Sequence, residues 1–242
     1  MNLSDMKEKI HNHFCAETSR PYVDINMHNI TASYGSKNVL NNFSHTFQGG
    51  TISVIMTPSG TGKTTLLNII NGTFLTNSKV SLLSGSSDIP MLNGSVSFNI
   101  KNTDTPIIPL ISMVFQENRL MEHTDVATNI LCAINTHGQY YKPQELIPHL
   151  CSLGFSKDIL YSPVNSLSGG MKRRIAILRS VLAPSHILLL DEPFKGLDEE
   201  LKKDVIDYVK ANISGKTVIL ITHEEKEALC FSHKTSFITS LN

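Results

Sequence analysis

Two glycines and a lysine lie close together in the segment MTPSGTGKTTLLNIING, residues 56–72. Gly60 and Gly62 lie in a short loop after an apolar run, and a helical pattern begins at about Lys63. The backbone N–H groups of such a loop point inward and, together with the positive end of the following helix, form a cradle for phosphate groups. In this cradle Lys63 would reach the β- and γ-phosphates of a nucleotide, and the hydroxyl of Thr64 would bind Mg²⁺.

The loop matches the Walker A element with one departure, because Thr57 stands where the first glycine is expected. The added Cβ is expected to strain the turn or to loosen phosphate binding, but only modestly, because the glycines nearer the phosphates are retained. The tripeptide Gly-Lys-Thr is a weak signal alone, and the strand before it and the helix after it support the site. The residues expected to bind the phosphates are Ser59, Gly60, Thr61, Gly62, Lys63, Thr64 and Thr65.

Two acidic residues follow the apolar run HILLL at 186–190. If this run is a strand of an open parallel sheet, Asp191 and Glu192 lie at the edge where ligands bind. There Asp191 would hold Mg²⁺, usually through water, and Glu192 would polarise the water that attacks a phosphate. An acidic helix cap after a strand would look the same in isolation, and the phosphate loop in the same chain favours the magnesium site.

A second candidate anion site lies in NSLSGGMKRRIAILRSVLAP, residues 165–184. Ser168 is a good N-cap, and the apolar stripe behind it ends before Pro184, so a Ser-Gly-Gly turn opens a helix. The N-terminus of a helix can bind phosphate. One nucleotide does not need both anion sites from one chain, and an ordinary capped helix is the alternative interpretation.

The elements around these segments predict an α/β fold with a doubly wound parallel sheet. Alternating apolar residues predict half-buried antiparallel strands near Val23 and Phe43, and a similar alternation near Val96 adds a further strand. Residues 117–163 are predicted to be mainly helical. Short apolar runs predict buried parallel strands at 51–56, 186–190 and 217–221.

Composition limits the class of protein. A chain of 242 residues can bury a substantial core, so disorder is excluded. Its 21 basic side chains balance its 21 acidic ones, so no bulk charge favours nucleic acid or an anionic membrane as the main partner. Four cysteines without a C-x-x-C pair favour a reducing cytosol, and no stretch approaches the roughly 18 to 20 apolar residues that cross a bilayer. We expect an appended segment at 1–20, a domain at 21–242, and within it a helical subdomain at about 117–183.

Together, the three segments resemble the nucleotide-binding subunits of ABC transporters, from about Tyr22 to Leu241. LSGGM at 167–171 resembles the signature motif of this family, with Met171 where glutamine is commoner. The resemblance implies a P-loop NTPase-like, mostly parallel sheet flanked by helices, an antiparallel β-subdomain and an inserted α-helical signature subdomain. The spacing from the lysine loop to the next motif is longer than usual for the family, which suggests an insertion at about 76–108 without an assigned role.

Four further residues fit the motifs of the same family. The resemblance implies that Tyr34 stacks on adenine and that Gln116 touches Mg²⁺ and the lytic water and senses the membrane partner. It also implies that Asp198 belongs to the D-loop and that His223 contacts the γ-phosphate. Alone, Tyr34 would be interpreted as a strand aromatic, Gln116 as a surface residue and His223 as a core histidine.

The family resemblance also accounts for two anion sites in one chain. It implies that two subunits, identical or homologous, pack head to tail, with each ATP between the Lys63 loop of one and the Ser168, Gly169 and Gly170 turn of the other. Hydrolysis of ATP would then separate the subunits. The implied catalytic residues are Lys63, Gln116, Glu192 and His223, and the implied Mg²⁺ ligands are Thr64, Gln116 and Asp191.

The motif sequences VFQENRL, LSGGMKRR, LLLDEPFKGLD and THEEKEA are most similar to those of importer ATPases of the nitrate, sulfonate and taurine group. This implies an Mg²⁺-dependent ATPase, peripheral on the cytoplasmic face of the membrane, that works with permease subunits and a solute-binding protein and not with nucleic acid. Two alternatives stay open. One is a soluble ABC ATPase without a transport role, and the other, suggested by Thr57 and Met171, is a regulatory module that holds ATP but hydrolyses it poorly.

Overall fold

Two β-sheets, one antiparallel and one parallel, form the frame of the protein. The computed structural model describes residues 21–74, 90–101, 108–138, 140–231 and 235–241. The expected N-terminal segment at 1–20 lies outside these residues, as does most of the expected insertion at 76–108, of which 90–101 and Ile108 are described.

The antiparallel sheet contains β1 (Tyr22–Tyr34), β2 (Lys37–Phe47) and β4 (Pro90–Lys101) in the order β2-β1-β4. Alternate apolar residues of β1, such as Val23 and Ile25, are buried on the face that turns to the interior. The period-two pattern that predicted these strands is therefore confirmed, including the strand inside the polar segment before residue 106.

The five-stranded sheet contains β3 (Ile52–Ile55), β5 (Ile111–Val114), β6 (Ile187–Asp191), β7 (Thr217–Ile221) and β8 (Thr235–Ile238). Their order is β5-β6-β7-β3-β8, and each neighbouring pair is parallel. In β6, Leu188 and Leu190 enter one hydrophobic cluster, whereas Ile187 and Leu189 enter the other, so both faces of the sheet are covered. This explains why its strands are continuous apolar runs.

Helices cover the parallel sheet, so the predicted α/β class is confirmed. Residues 117–183 contain three of the α-helices, and the assignment of these residues to a separate subdomain stays a prediction. No helix in the described ranges is long and apolar enough to span a bilayer. The α-helices are α1 (Lys63–Ile70), α2 (Val126–Ile134), α3 (Ile147–Ser152), α4 (Gly169–Leu182), α5 (Glu199–Asn212) and α6 (Glu225–Cys230), with 3₁₀ turns at Pro143–Leu146, Lys157–Tyr161 and Val164–Ser166.

One buried hydroxyl joins the two sheets. Thr217, at the start of β7, is 1% exposed, and its Oγ1 donates a hydrogen bond to the carbonyl of Val23 at 2.8 Å. The same oxygen accepts the N–H of Gly50 at 3.1 Å. Thr217 therefore helps to fix the position of β1, which carries Tyr34 at its far end, relative to the parallel sheet.

Replacing Thr217 by valine keeps the shape of the side chain but leaves the Gly50 N–H and the Val23 carbonyl without their partner. We expect the free energy of unfolding to fall by about 2 kcal/mol, the usual cost of buried unsatisfied polar groups. Chemical denaturation measures this change, with Thr217→Ser as the control that keeps the hydroxyl. A valine variant as stable as the wild type would contradict the role of this link.

Candidate functional site

The loop between β3 and α1 needs glycine at two positions. Gly62 has a φ of 91°, and a Cβ there would meet the carbonyl oxygen of Val39 at 2.5 Å. Gly60 has a φ of 81°. Residues with a Cβ rarely adopt such positive φ angles, whereas glycine does so readily. The two glycines therefore allow the loop to turn tightly into the N-terminus of α1.

Lys63 begins α1, and its ammonium group turns back over the loop. Its Nζ donates to the carbonyls of Thr57 at 2.6 Å and Pro58 at 2.8 Å. Burial lowers the pKa of Lys63, and the nearby carboxylates of Glu192 and Asp191 partly offset this effect. A cation thus lies at the centre of the loop, bonded to carbonyl oxygens that phosphate oxygens can replace.

Thr57 does not strain the turn, contrary to expectation. It is 3% exposed, and it is not among the described residues with a positive φ. Its hydroxyl lies 2.6 Å from the hydroxyl of Thr61, which in turn donates to the carbonyl of Pro58 at 2.9 Å. The threonine that replaces the first glycine therefore closes a hydrogen-bonded chain across the base of the loop.

Thr64 and Asp191 meet beside the loop. The Thr64 hydroxyl donates to Asp191 Oδ2 at 2.8 Å, and Asp191 is 2% exposed at the end of β6. Burial raises the pKa of the Asp191 carboxyl, and the Thr64 hydrogen bond and the charges of Arg173 and Lys63 offset only part of this. A hydroxyl and a carboxylate are oxygen ligands of the type that Mg²⁺ prefers, so the residues present fit this ion.

Glu192 binds two basic side chains. Its Oε1 lies 3.1 Å from His223 Nε2, and its Oε2 lies 2.7 Å from Lys195 Nζ. Burial alone would raise the pKa of Glu192, but the Lys195 hydrogen bond and the charges of Lys195, His223 and Lys63 outweigh it, so the pKa is lowered. The carboxylate is therefore ionised at neutral pH.

The backbone of Glu192 has a φ of 45°, a conformation that few residues other than glycine adopt. Such a conformation costs roughly 1–3 kcal/mol and occurs where surrounding contacts enforce it, often at functional sites. Here the Glu192 N–H donates to the carbonyl of Ile221 in β7 at 3.0 Å. This bond connects the residue after β6 to the strand that leads to His223.

The loop that carries His223 is held from both sides. Lys202 Nζ in α5 lies 2.8 Å from Glu224 Oε2 and 3.4 Å from Glu227 Oε1. Burial would lower the pKa of Lys202, but the carboxylates of Glu224, Glu199 and Glu227 outweigh this effect and raise the pKa. The Thr222 hydroxyl also donates to Glu227. The residue before His223, Thr222, is therefore bonded to α6, and the residue after it, Glu224, is bonded to α5.

The remaining predicted residues lie around this centre or apart from it. Tyr34 is half-buried at the end of β1, with its ring edge-on to Phe74 at a centroid distance of 5.5 Å. Gln116 is exposed just after β5, and Asp198 is exposed at the N-cap of α5. In the phosphate loop, Ser59, Gly60 and Thr64 are exposed, Thr61 and Gly62 are intermediate, and Lys63 and Thr65 are buried.

The Ser-Gly-Gly turn opens α4 as predicted. The Ser168 side chain accepts the N–H of Met171 at 3.3 Å, and Ser168 and Gly169 are exposed, with Gly170 intermediate. Within the described ranges, no hydrogen bond or ion pair joins this turn to the phosphate loop. One chain therefore presents two separate candidate anion sites.

Sequence patterns missed several residues that shape the site: Lys195, Lys202, Glu224, Glu227 and Arg173. The first four are charged residues in polar segments, where the sequence does not indicate which partner they will meet. Arg173 had a signal, because it lies four and eight residues before Ile177 and Val181, on a second buried stripe of α4.

Residues 40–195 match the family model described as ABC transporter. The protein belongs to this family. It is 34% identical over 193 residues to the thiamine import ATP-binding protein ThiQ of Photobacterium profundum, a match that covers 78% of this chain and 74% of that protein. It is 32% identical over 215 residues to the spermidine/putrescine import ATP-binding protein PotA of Pasteurella multocida, over 87% of this chain and 54% of that protein. The cassette thus spans only about half the length of this second relative.

The fold of the cassette also resembles solved structures. The dimeric post-hydrolysis state of the ATP-binding cassette MJ0796, bound to ADP and Pi, superposes with a TM-score of 0.67 at 26% identity. The superposition covers 89% of this chain and 94% of that one. The expected ABC cassette fold, with its parallel and antiparallel sheets, is confirmed.

Replacing Thr57 by glycine would restore the common Walker A residue but remove the hydroxyl that bonds Thr61. Because the backbone at this position does not require glycine, we expect the free energy of unfolding to fall by about 1–2 kcal/mol. Chemical denaturation of Thr57→Gly, with Thr57→Ser as the matched control, measures this effect. A glycine variant more stable than the wild type would show that Thr57 is a defect.

Proposed function

We propose that this cassette is the ATP-hydrolysing motor subunit of an ABC importer, and that it drives a small solute through separate permease subunits. The observation that carries the proposal is the convergence of Lys63, Asp191, Glu192 and His223 at one edge of the parallel sheet. The import proteins among its relatives support the direction of transport.

The phosphate loop would bind the triphosphate. Lys63 would exchange its bonds to the Thr57 and Pro58 carbonyls for bonds to the β- and γ-phosphates, and the N–H groups at the start of α1 would add further donors. Thr64 and Asp191, with Gln116, would hold Mg²⁺, which neutralises charge on the phosphate oxygens when bound. Tyr34 would stack on the adenine ring.

Glu192 would orient and polarise the attacking water. Its carboxylate is ionised, so it can accept a hydrogen bond from that water and take up its proton. His223, now bonded to Glu192 Oε1, would turn its imidazole to the γ-phosphate. These roles need little covalent chemistry, because positioning and charge neutralisation supply most of the rate in phosphoryl transfer.

Two subunits would complete each nucleotide site. The Ser168, Gly169 and Gly170 turn is separate from the phosphate loop of its own chain, and its exposed helix N-terminus suits an anion brought by a second subunit. The dimeric form of a similar cassette supports this arrangement. Asp198, exposed at the start of α5, would lie near the junction between the subunits.

The expected partners are integral membrane permeases that dock near Gln116 and the helices of residues 117–183, and a solute-binding protein. The cassette would lie on the cytoplasmic face of the membrane, with no role in nucleic-acid binding. The similarity of its motif sequences to those of nitrate, sulfonate and taurine importers supports a small anion or organic solute as the transported substrate.

Replacing Glu192 by glutamine removes the base but keeps the shape of the side chain. We expect phosphate release by the purified cassette to fall at least 100-fold, in the range of general-base contributions. ATP should still bind, and size-exclusion chromatography with Mg²⁺ and ATP should detect a lasting dimer. Lys63→Ala is the control, because it should lose both ATP binding and the dimer. Undiminished turnover in Glu192→Gln would refute the role given to Glu192.

The transport role predicts membrane partners. Affinity purification of the full chain from detergent-solubilised membranes of its own host should recover a protein with several apolar spans, identified by mass spectrometry. A host strain without the tagged cassette is the control. Exclusively soluble partners would contradict the importer and favour a cytosolic ABC ATPase.

A further inference from the structure

Five main-chain carbonyls surround the guanidinium group of Arg173, which lies in the second turn of α4 and is 5% exposed. All of its nitrogens donate to these carbonyls, and none of the five acceptors is a side chain. The acceptors are Phe115 O at 2.5 Å and Gln116 O at 3.3 Å for Nη1, Asp191 O at 3.0 Å and Glu192 O at 2.6 Å for Nη2, and Pro193 O at 2.8 Å for Nε.

Four of these carbonyls belong to two different loops, and the fifth, that of Asp191, lies at the end of β6. One loop follows β5 and carries Gln116, and the other follows β6 and carries Glu192. In the part of the chain that the structure describes, no carboxylate lies within ion-pair distance of Arg173. Arg173 therefore holds the main chain of both loops through the planar array of N–H donors of its guanidinium group and not through an ion pair. The ammonium group of lysine, with three donors on one nitrogen, cannot reproduce this geometry.

The contact with Glu192 falls on a residue in an unfavourable conformation. Glu192 has a φ of 45°, and Arg173 binds its carbonyl while Ile221 binds its N–H. Both sides of the residue are thus held by other elements. Without the Arg173 bond, the peptide after Glu192 has one restraint fewer against relaxing to a common backbone conformation.

We propose that Arg173 is a positioning residue for ATP hydrolysis, which sets the separation and orientation of the Gln116 and Glu192 side chains by binding the main chain of both loops. This inference rests on the proposed function. Ser168, at the start of α4, lies five residues before Arg173, so the same helix carries the turn that would touch the nucleotide of a second subunit. Arg173 thereby connects that turn to the catalytic loops of its own chain.

The variant Arg173→Lys keeps the positive charge and loses the fork. We expect kcat for ATP hydrolysis to fall at least about tenfold, because small displacements of catalytic groups have effects of this size. The Kd for ATP, measured by calorimetry with EDTA present, should stay within about twofold, because the Lys63 loop is not among the Arg173 contacts. Amide hydrogen exchange without nucleotide should become faster at 115–119 and at 191–195.

Arg174→Lys is the matched control. Arg174 is the next residue of α4 and is also buried, but it donates to the Leu153 carbonyl at 2.5 Å and to the Gly170 carbonyl of its own helix at 3.4 Å, and it lies over the Phe155 ring. None of these contacts involves the loops that carry Gln116 and Glu192. We expect its kcat to stay within about twofold of the wild type. Arg173→Gln, which also lacks the fork, gives the same readout if Arg173→Lys fails to fold.

A kcat for Arg173→Lys within twofold of the wild type would overturn the inference, and so would an equal loss in Arg174→Lys. In both cases an active wild-type cassette leaves the proposed function intact. A wild-type cassette that releases no phosphate would instead refute the proposed function, and the inference with it.

Discussion

The common register of β3, β6 and β7 is the constraint on which the candidate site depends. Ile221 at the end of β7 pairs with Ile55 of β3 and with Asp191 of β6, so the three strands end at one level. The loops that follow them carry Lys63, Glu192 and His223 to the same edge of the sheet. A slip of one residue in any of these strands would turn its side chains to the opposite face and break the site.

The polar groups of the site already have partners within the chain before any phosphate binds. Lys63 is bonded to loop carbonyls, Thr64 to the Asp191 carboxylate, and Glu192 to Lys195 and His223. Each of these bonds involves a group that could instead bind phosphate, magnesium or water. That group can exchange its present partner for the ligand. The polar groups are therefore ordered in advance, which is the condition under which electrostatic stabilisation of a reaction is strongest. The unfavourable backbone of Glu192 fits the same pattern.

Local patterns in the sequence predicted much of the fold and of the site. The run TVILI coincides with β7, and Ser168 caps α4 as expected, because strand and cap signals depend on neighbouring residues. Contacts across the chain were not predictable in this way. The five carbonyls around Arg173 come from segments about 20 and about 58 residues distant, and the expected strain at Thr57 was wrong because its hydroxyl partner depends on the path of the loop. The roles of the site residues stay predictions.

The central claim is that the phosphate loop of one subunit and the Ser168 turn of another enclose the same ATP. Its most direct test is crosslinking between two chains, one with Ser59→Cys and the other with Ser168→Cys, in a background without the four native cysteines and with Glu192→Gln. With a short bifunctional maleimide, we expect the mixture to form a crosslinked pair of chains only when ATP and Mg²⁺ are present, and we expect neither chain alone to form one. A mixture that forms no crosslink with ATP, or the same amount without it, would contradict the account.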